Sequence, residues 1–175
     1  MKEGTAEDFR IIRQNDELTA RELPARLFEH LEKMAEDDGA YKISRLDHVL
    51  QCATRAYRDE ADNEWVVAAL LHDIGDLLAP FSHAEVAAEI LKPFVSEEIA
   101  WVVRHHGIFQ MRYNKSLPDH QQNLHLKYKD HQWYQSALNF TENWDQNSFD
   151  PEYDNLPLEF FKPLVNQVIQ RQSPS

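Results

Sequence analysis

The sequence predicts an all-α protein, arranged as a single helical bundle, on three observations. Glycine is scarce, with 4 in 175 residues, so few of the tight turns of a many-stranded sandwich or barrel can be built. Hydrophobic residues make up 42% of the chain, which is enough for a core at this length. Most of them recur at the three- and four-residue spacing of a helix.

Apolar stripes and capping residues define the predicted helices in order. The 63–72 helix is apolar nearly all round after its candidate N-cap Asp62, so we expect it to be central. Pro93 closes a later helix, and the Ser96 hydroxyl caps the one after it. The predicted helices span residues 22–38, 44–59, 63–72, 82–92, 96–107 and 124–144, and a last helix opens at Pro157.

The remaining segments are polar. Residues 1–20 are expected to lie loosely on the surface ahead of a domain at 21–172, and residues 113–123 and 145–155 are expected to be loops. We find no apolar leader and no run of 18 apolar residues, so neither a secretory signal nor a membrane span is predicted. The lone cysteine, Cys52, allows no intramolecular disulfide and favours a reducing, cytoplasmic location.

The charge of the chain bears on its partners. The formal net charge of −12 disfavours nucleic-acid binding, because an acidic surface repels a phosphate backbone. A small anionic substrate is still allowed, since a bound metal ion reverses the local field. The apolar face of the last helix can pack internally or form a dimer interface, so a monomer and a homodimer both stay open.

The strongest local signal is the run Leu-Leu-His-Asp-Ile-Gly at residues 70–75. His72 and Asp73 stand at the end of an apolar helix, where buried polar side chains need partners. A metal ion would satisfy both an imidazole and a carboxylate. The alternative is a buried hydrogen bond between the two side chains that caps the helix.

Histidines and acids beside apolar residues recur at the ends of other predicted helices. One tetrahedral zinc takes three or four ligands, so a set of six suits two ions, with Asp73 as the natural bridge. Imidazoles and carboxylates without thiolates suit iron, manganese or zinc. The candidate metal ligands are His48, His72, Asp73, His83, His106 and Asp145.

Each candidate also has an ordinary explanation. His48 fits a core histidine, His83 a surface residue near a helix start, and Asp145 a surface acid. The helix dipole alone favours one histidine of the His105-His106 pair. The other histidines are expected on a helix surface, for His30, or in solvated regions, for His120, His125 and His131.

The ordered set of histidines and aspartates resembles the HD-domain superfamily, and within it the mixed-valence di-iron oxygenases. That branch includes an organophosphonate-cleaving oxygenase and, more remotely, myo-inositol oxygenase. The resemblance covers roughly residues 40–165 and is carried by residues 46–53, 61–75, 83–88, 102–106 and 144–145.

The resemblance implies a ligand set. It implies two iron ions in the Fe(II)/Fe(III) state, with manganese, zinc or magnesium as alternatives. One iron would be held by His48, His72 and Asp145, and the other by His83 and His106, with Asp73 between them.

The sequence departs from the oxygenase branch where that family contacts its substrate. The Tyr and Glu that precede the first ligand in the phosphonate enzymes are not reproduced, since Asp38 and Tyr41 stand nearby. Asp76 replaces a family histidine, and Glu142 replaces a basic residue. The candidate replacements are Tyr41, Arg45, Asp76, Gln110 and Arg112, and we place Tyr41, Arg45 and Asp76 with Asp73 as candidate catalytic residues.

Three functions follow from this set. The first is an oxygenase that uses O2 to cleave a C–P or C–C bond in a small hydroxylated substrate, such as a hydroxyphosphonate or a polyol. The second is an HD phosphohydrolase acting on a nucleotide or phosphomonoester, because two metals can activate water and clamp an in-line displacement. The third is a non-enzymatic helical module. The resemblance favours the oxygenase, while the ligand types alone suit either enzyme.

Overall fold

A computed structural model describes residues 2–36 and 42–170, and all regular structure in this part of the chain is helical, as predicted. The α-helices are α1 (Ala6–Arg21), α2 (Leu23–Met34), α3 (Arg45–Arg58), α4 (Asn63–Leu71), α5 (His83–Leu91), α6 (Glu97–Gln110), α7 (Asp119–Gln122), α8 (Tyr134–Asn139) and α9 (Leu158–Gln170). Short 3-10 helices cover Met111–Tyr113 and Leu124–Tyr128, and a π-helical turn covers Phe140–Asp145.

Helix α4 is the centre of the fold, as its apolar sequence predicts. The Asp62 side chain accepts a hydrogen bond from the Trp65 N–H and so caps the helix start. Every residue from Val66 to Leu71 is buried. Helices α3, α5, α6 and α9 all contact α4, and α3 makes the most extensive packing with it.

Capping residues also place the neighbouring helices. Ser44 and Asp47 form a capping box at the start of α3, where each side chain accepts a hydrogen bond from the backbone N–H of the other. Ser96 caps α6 by accepting from the Ile99 N–H. These caps fix where α3 and α6 begin, and both helices carry candidate ligands.

The N-terminal segment differs from the prediction of a loose polar stretch. Residues 6–21 form α1, which opens with a capping box between Thr5 and Asp8. None of its residues is buried, because its sequence is largely polar and even Phe9 and Leu18 stay exposed. A local cap, visible in the sequence as Thr-x-x-Asp, therefore starts a helix without a core contact.

The predicted helix at 124–144 is wrong as a single element. The chain is broken there into a 3-10 helix, a turn at 129–133, α8 and the π-helical turn. The π geometry shows in the Gln146 N–H, which donates to the Thr141 carbonyl five residues earlier at 2.8 Å. The predicted 113–123 loop contains the short helix α7.

Helix α9 buries its apolar face inside the chain, against α4 and α2. Phe161, Val165 and Val168 are among its buried residues. This packing buries the apolar face for which the sequence allowed either core packing or a dimer interface. Among the described residues, no helix has the length and apolar character needed to cross a membrane.

Candidate metal centre

The structure brings the six predicted ligand side chains to one place at the middle of the bundle. They come from separate elements, so only the tertiary fold assembles them. His48 lies on α3 and His106 on α6, His72 and Asp73 directly follow α4, His83 is the first residue of α5, and Asp145 ends the π-helical turn. His72, His106 and Asp145 have no solvent exposure.

Asp73 stands between two pairs of histidines. Its Oδ2 lies 3.4 Å from Nε2 of His48 and 3.4 Å from Nε2 of His72. Its Oδ1 lies 3.1 Å from Nε2 of His106 and 3.5 Å from Nε2 of His83. One carboxylate therefore faces two imidazole pairs, one with each oxygen.

Asp145 completes the group around His48 and His72. Its Oδ1 lies 3.4 Å from Nε2 of His48 and 3.6 Å from Nε2 of His72. The Gln110 amide donates to the same oxygen at 2.7 Å. Oδ2 is buried and has no hydrogen-bond partner among the described residues, which is costly for a carboxylate unless a ligand meets it.

The outer nitrogens of the buried histidines are held by the backbone. Nδ1 donates to the Ser148 carbonyl in His48, to the Ala69 carbonyl in His72 and to the Val103 carbonyl in His106, at 2.7–2.8 Å. Because Nδ1 carries the proton, each neutral ring turns a lone pair at Nε2 towards the site. Nε2 of His48 and Nε2 of His72 lie 3.3 Å apart, an arrangement that needs a cation between or on the rings.

The pKa values of the site also indicate that its carboxylates are balanced by positive charge. Burial lowers the pKa of His48, but hydrogen bonds to Asp145 and Asp73 outweigh it and raise the pKa to about 10. Burial also lowers the pKa of His106, and the bond to Asp73 raises it to about 9. Burial alone would raise the pKa of Asp145, yet His48 and His72 hold it below its usual value. Without metal, protons on the imidazoles balance the carboxylates, and metal ions would replace those protons.

The donor set fits metal ions in two adjoining places. His48, His72 and Asp145 form one group whose ligand atoms lie within 4.8 Å of one another, and His72, Asp73 and His106 form a second. A third group joins Asp73 and His83 to Asp76. The ligand atoms are nitrogen and oxygen only, which suits iron, manganese or zinc better than thiophilic ions.

Gly75 lets the chain reverse close to the start of α5. A Cβ at this position would lie 2.6 Å from the His83 carbonyl oxygen and 2.8 Å from the His83 Cα. Both are backbone atoms, so any side chain here would push His83 away from Asp73. The glycine of the His-Asp-Ile-Gly run thus positions a ligand from the next helix.

A cavity of about 250 Å³ opens beside the ligands. Arg45 and Asp76 line it and form an ion pair, and Asp76 Oδ1 lies 3.3 Å from Nδ1 of His83. Burial and the nearby Asp73 charge raise the pKa of Asp76. Tyr41 lies outside the described residues. Arg112 does not line this cavity, and its guanidinium lies over the Tyr113 ring at 5.2 Å.

Sequence reasoning missed two neighbours of His48. The Phe149 ring stacks on His48 with centroids 4.4 Å apart and lines the cavity, and the Ser148 carbonyl holds its Nδ1. Both lie in a predicted loop, where no periodic pattern marks the residues that turn inward. The expectation of a solvated His125 is wrong, because it is buried, and His131 is half-buried with its ring stacked on Trp101 at 4.1 Å.

The fold and the site define an all-helical protein with histidine–aspartate groups that can hold metal ions. The HD domain family model matches residues 24–132, and the chain belongs to this family. Five of the six candidate ligands lie within that match, and Asp145 lies beyond it.

A curated relative is a 1-hydroxy-2-(trimethylamino)ethylphosphonate dioxygenase (glycine-betaine-forming) of Leisingera caerulea. This chain is 35% identical to it over 75 residues. The match covers 37% of this chain and 38% of the relative, so it spans well under half of that protein. Together with the family, it supports an HD-domain metal enzyme.

Proposed function

We propose that the protein is a di-iron oxygenase that uses O2 to cleave a C–P or C–C bond in a small hydroxylated substrate. His48, His72 and Asp145 would hold one iron, His83 and His106 the other, and Asp73 would bridge them. Bound iron would supply the activation of O2 and of the substrate hydroxyl. We expect the protein to act in the cytoplasm.

The observation that carries this proposal is the position of Asp73. Its two oxygens face two separate imidazole pairs at 3.1–3.5 Å, which is what a carboxylate bridge between two ions requires. A site for one zinc would need no such division. The resemblance to the oxygenase branch and the phosphonate dioxygenase match favour oxygenase chemistry over phosphate hydrolysis.

The other side chains of the cavity have separate tasks. Gln110 orients Asp145 through its amide hydrogen bond. Arg45 and Asp76 would contact the polar groups of the substrate from the cavity wall. Asp76 is the candidate acceptor for the substrate hydroxyl proton, because its raised pKa lies nearer the working pH than that of an ordinary aspartate.

The first test is metal content on freshly purified protein, with electron paramagnetic resonance after partial reduction without oxygen. Two irons per chain and a coupled mixed-valence signal are expected, followed by O2 uptake with hydroxyphosphonates or polyols. Zinc, manganese or magnesium without that signal, together with hydrolysis of phosphomonoesters or nucleotides, would establish the phosphohydrolase instead.

The Asp73→Asn variant tests the bridge. We expect a folded protein that loses the metal next to His83 and His106 and at least about 100-fold of its activity, because Asp73 is the carboxylate that faces this pair, while Asp145 still faces His48 and His72. Asp119→Asn is the matched control, since Asp119 is exposed and belongs to none of the ligand groups. A folded Asp73→Asn protein with full metal content and turnover would contradict the proposal.

A further inference from the structure

A second cavity, of about 470 Å³, adjoins the one beside the metal ligands. Gln110 and Phe149 line both cavities, so the two spaces share a wall. Both residues of this wall contact candidate ligands, Gln110 through Asp145 and Phe149 through the His48 ring. The first cavity alone is smaller than the roughly 300–1,000 Å³ of most ligand sites, and the second brings the space into that range.

Gly107 lines the second cavity and faces open space. It lies within α6, and a Cβ there would meet no described atom within 4 Å outside its own helix. A glycine inside a helix costs about 1 kcal/mol relative to alanine. Neither close packing nor a positive φ requires glycine here, and a long side chain at this position would extend into the open space.

The lining of the second cavity combines apolar side chains with uncharged polar ones. Of the described residues that line it, none is acidic, basic or a histidine. Gln146 has no side-chain hydrogen bond within the described chain, and the Tyr113 hydroxyl is buried without a partner there. Asn114 accepts from Ser116 through Oδ1, which leaves its amide N–H group to donate. The walls thus offer amide groups to a ligand, while the buried Tyr113 hydroxyl has no surface that faces the cavity.

We propose that the second cavity is a substrate subsite for an uncharged hydrogen-bonding group, best matched by a carboxamide. Gln146 offers an amide one donor and one acceptor, and Asn114 adds a donor, because its Oδ1 is already taken by Ser116. A charged group would lose its hydration without gaining an opposite charge. This inference rests on the proposed function: the reacting hydroxyl would lie beside the metal ligands, and the amide end would extend past Gln110 and Phe149.

The test titrates N-methylacetamide into the Zn(II)-loaded full-length protein and follows backbone amide signals by NMR. Saturable shifts are expected at Asn114 and Gln146, with at least about tenfold weaker binding of methylammonium, a charged probe that does not ligate zinc. Gly107→Leu should abolish the shifts by filling the space, and Asp119→Asn, at an exposed position outside both cavities, should keep them. No saturable shifts in the wild type, or equal binding of methylammonium, would overturn the subsite whether or not Gly107→Leu folds.

A second measurement separates the subsite from the proposed function. O2 uptake by the iron-loaded enzyme is compared for a short hydroxyalkylphosphonate and the same compound extended by a carboxamide. We expect a lower KM for the extended compound in the wild type and in Asp119→Asn, and loss of that preference in Gly107→Leu. Amide binding without O2 uptake would refute the oxygenase and leave the subsite supported; O2 uptake with no preference would refute the subsite alone.

Discussion

His105 and His106 are neighbours on helix α6 but lie on different faces of it, in different environments. His106 is buried and its Nε2 lies 3.1 Å from Asp73 Oδ1. The His105 ring lies half-buried, 4.3 Å from Trp101 and 4.7 Å from Tyr128 by ring centroids. In both residues Nδ1 donates to a carbonyl of the same helix at 2.7 Å. The difference is that Nε2 of His106 faces a carboxylate, whereas the ring of His105 packs against aromatic rings.

The difference follows from helix geometry. Successive residues point about 100° apart around the axis, so one turn of α6 serves two environments. One face closes the candidate metal centre. The other supports an aromatic cluster that joins α6 to the irregular 119–133 segment and consists of Trp101, His105, Phe109, Tyr128, His131 and Trp133.

The largest expected effect is a loss of bound metal when His106, but not His105, is replaced by alanine. His106→Ala should lose the metal ion next to His83, and with it the activity, because Asp73 Oδ1 keeps only one imidazole. His105→Ala should keep two metals per chain. Metal analysis and turnover of the two purified variants provide the check. Equal metal loss in both variants would mean that the faces are not distinct.

A smaller effect concerns pH in the metal-free protein. Asp73 raises the pKa of His106 to about 9 in spite of burial, while burial lowers the pKa of His105. His106 therefore stabilises the fold fully below its unfolded pKa near 6.5, and this contribution is lost as pH rises through 9. His105 contributes in the opposite sense, and its share is lost as pH falls below about 6.5.

Imidazole signals in NMR titrations of the chelated protein measure these two pKa values. Thermal denaturation with chelator should give a lower melting temperature at pH 9.5 than at pH 6.5, because His106 loses its stabilising proton between these two pH values. Added metal should remove most of this dependence, because it takes the place of the protons. Two histidines titrating together near 6.5 would contradict the contrast.

The smallest expected effect is confined to the aromatic side. Trp101→Leu should lower the free energy of unfolding by about 1–2 kcal/mol, since it removes ring contacts with His105, His131 and Tyr128. Metal content should not change. Urea denaturation of the metal-loaded variant gives the first quantity and metal analysis the second. A loss of metal with Trp101→Leu would show that the two faces are coupled.

The helices that the sequence predicted correctly are those with a regular spacing of apolar residues. Helices α3 to α6 were placed by apolar periodicity and by caps such as Asp62 and Ser96, which act within a few residues of chain. Helix α1 has no buried apolar stripe, so apolar periodicity does not predict it, and its sequence signal is the Thr5–Asp8 capping box. The prediction of one helix at 124–144 was wrong because the chain turns at 129–133, and the helical pattern of apolar residues gives no signal for that turn.

The candidate site was predictable as a set of residue types but not as a geometry. His48, His72, Asp73, His83, His106 and Asp145 were all named from the sequence, and the structure brings all six together. Their roles as ligands stay a prediction. The backbone carbonyl at Ser148, the Phe149 ring and the second cavity had no signal in the sequence, because loops that close a site show no periodicity.

The π-helical turn makes the site sensitive to chain length in one direction. A π turn holds one residue more than an α turn, and Asp145 stands at its end. Deleting a single residue from 140–144 would let the turn relax to α geometry, so Asp145 would keep roughly its direction towards His48 and His72. An inserted residue has no such outlet and would rotate Asp145 by about 100° around the axis, away from both histidines. Variation in this segment is therefore expected as exchanges of exposed residues such as Glu142 and Asn143 or as loss of one residue, and not as insertions.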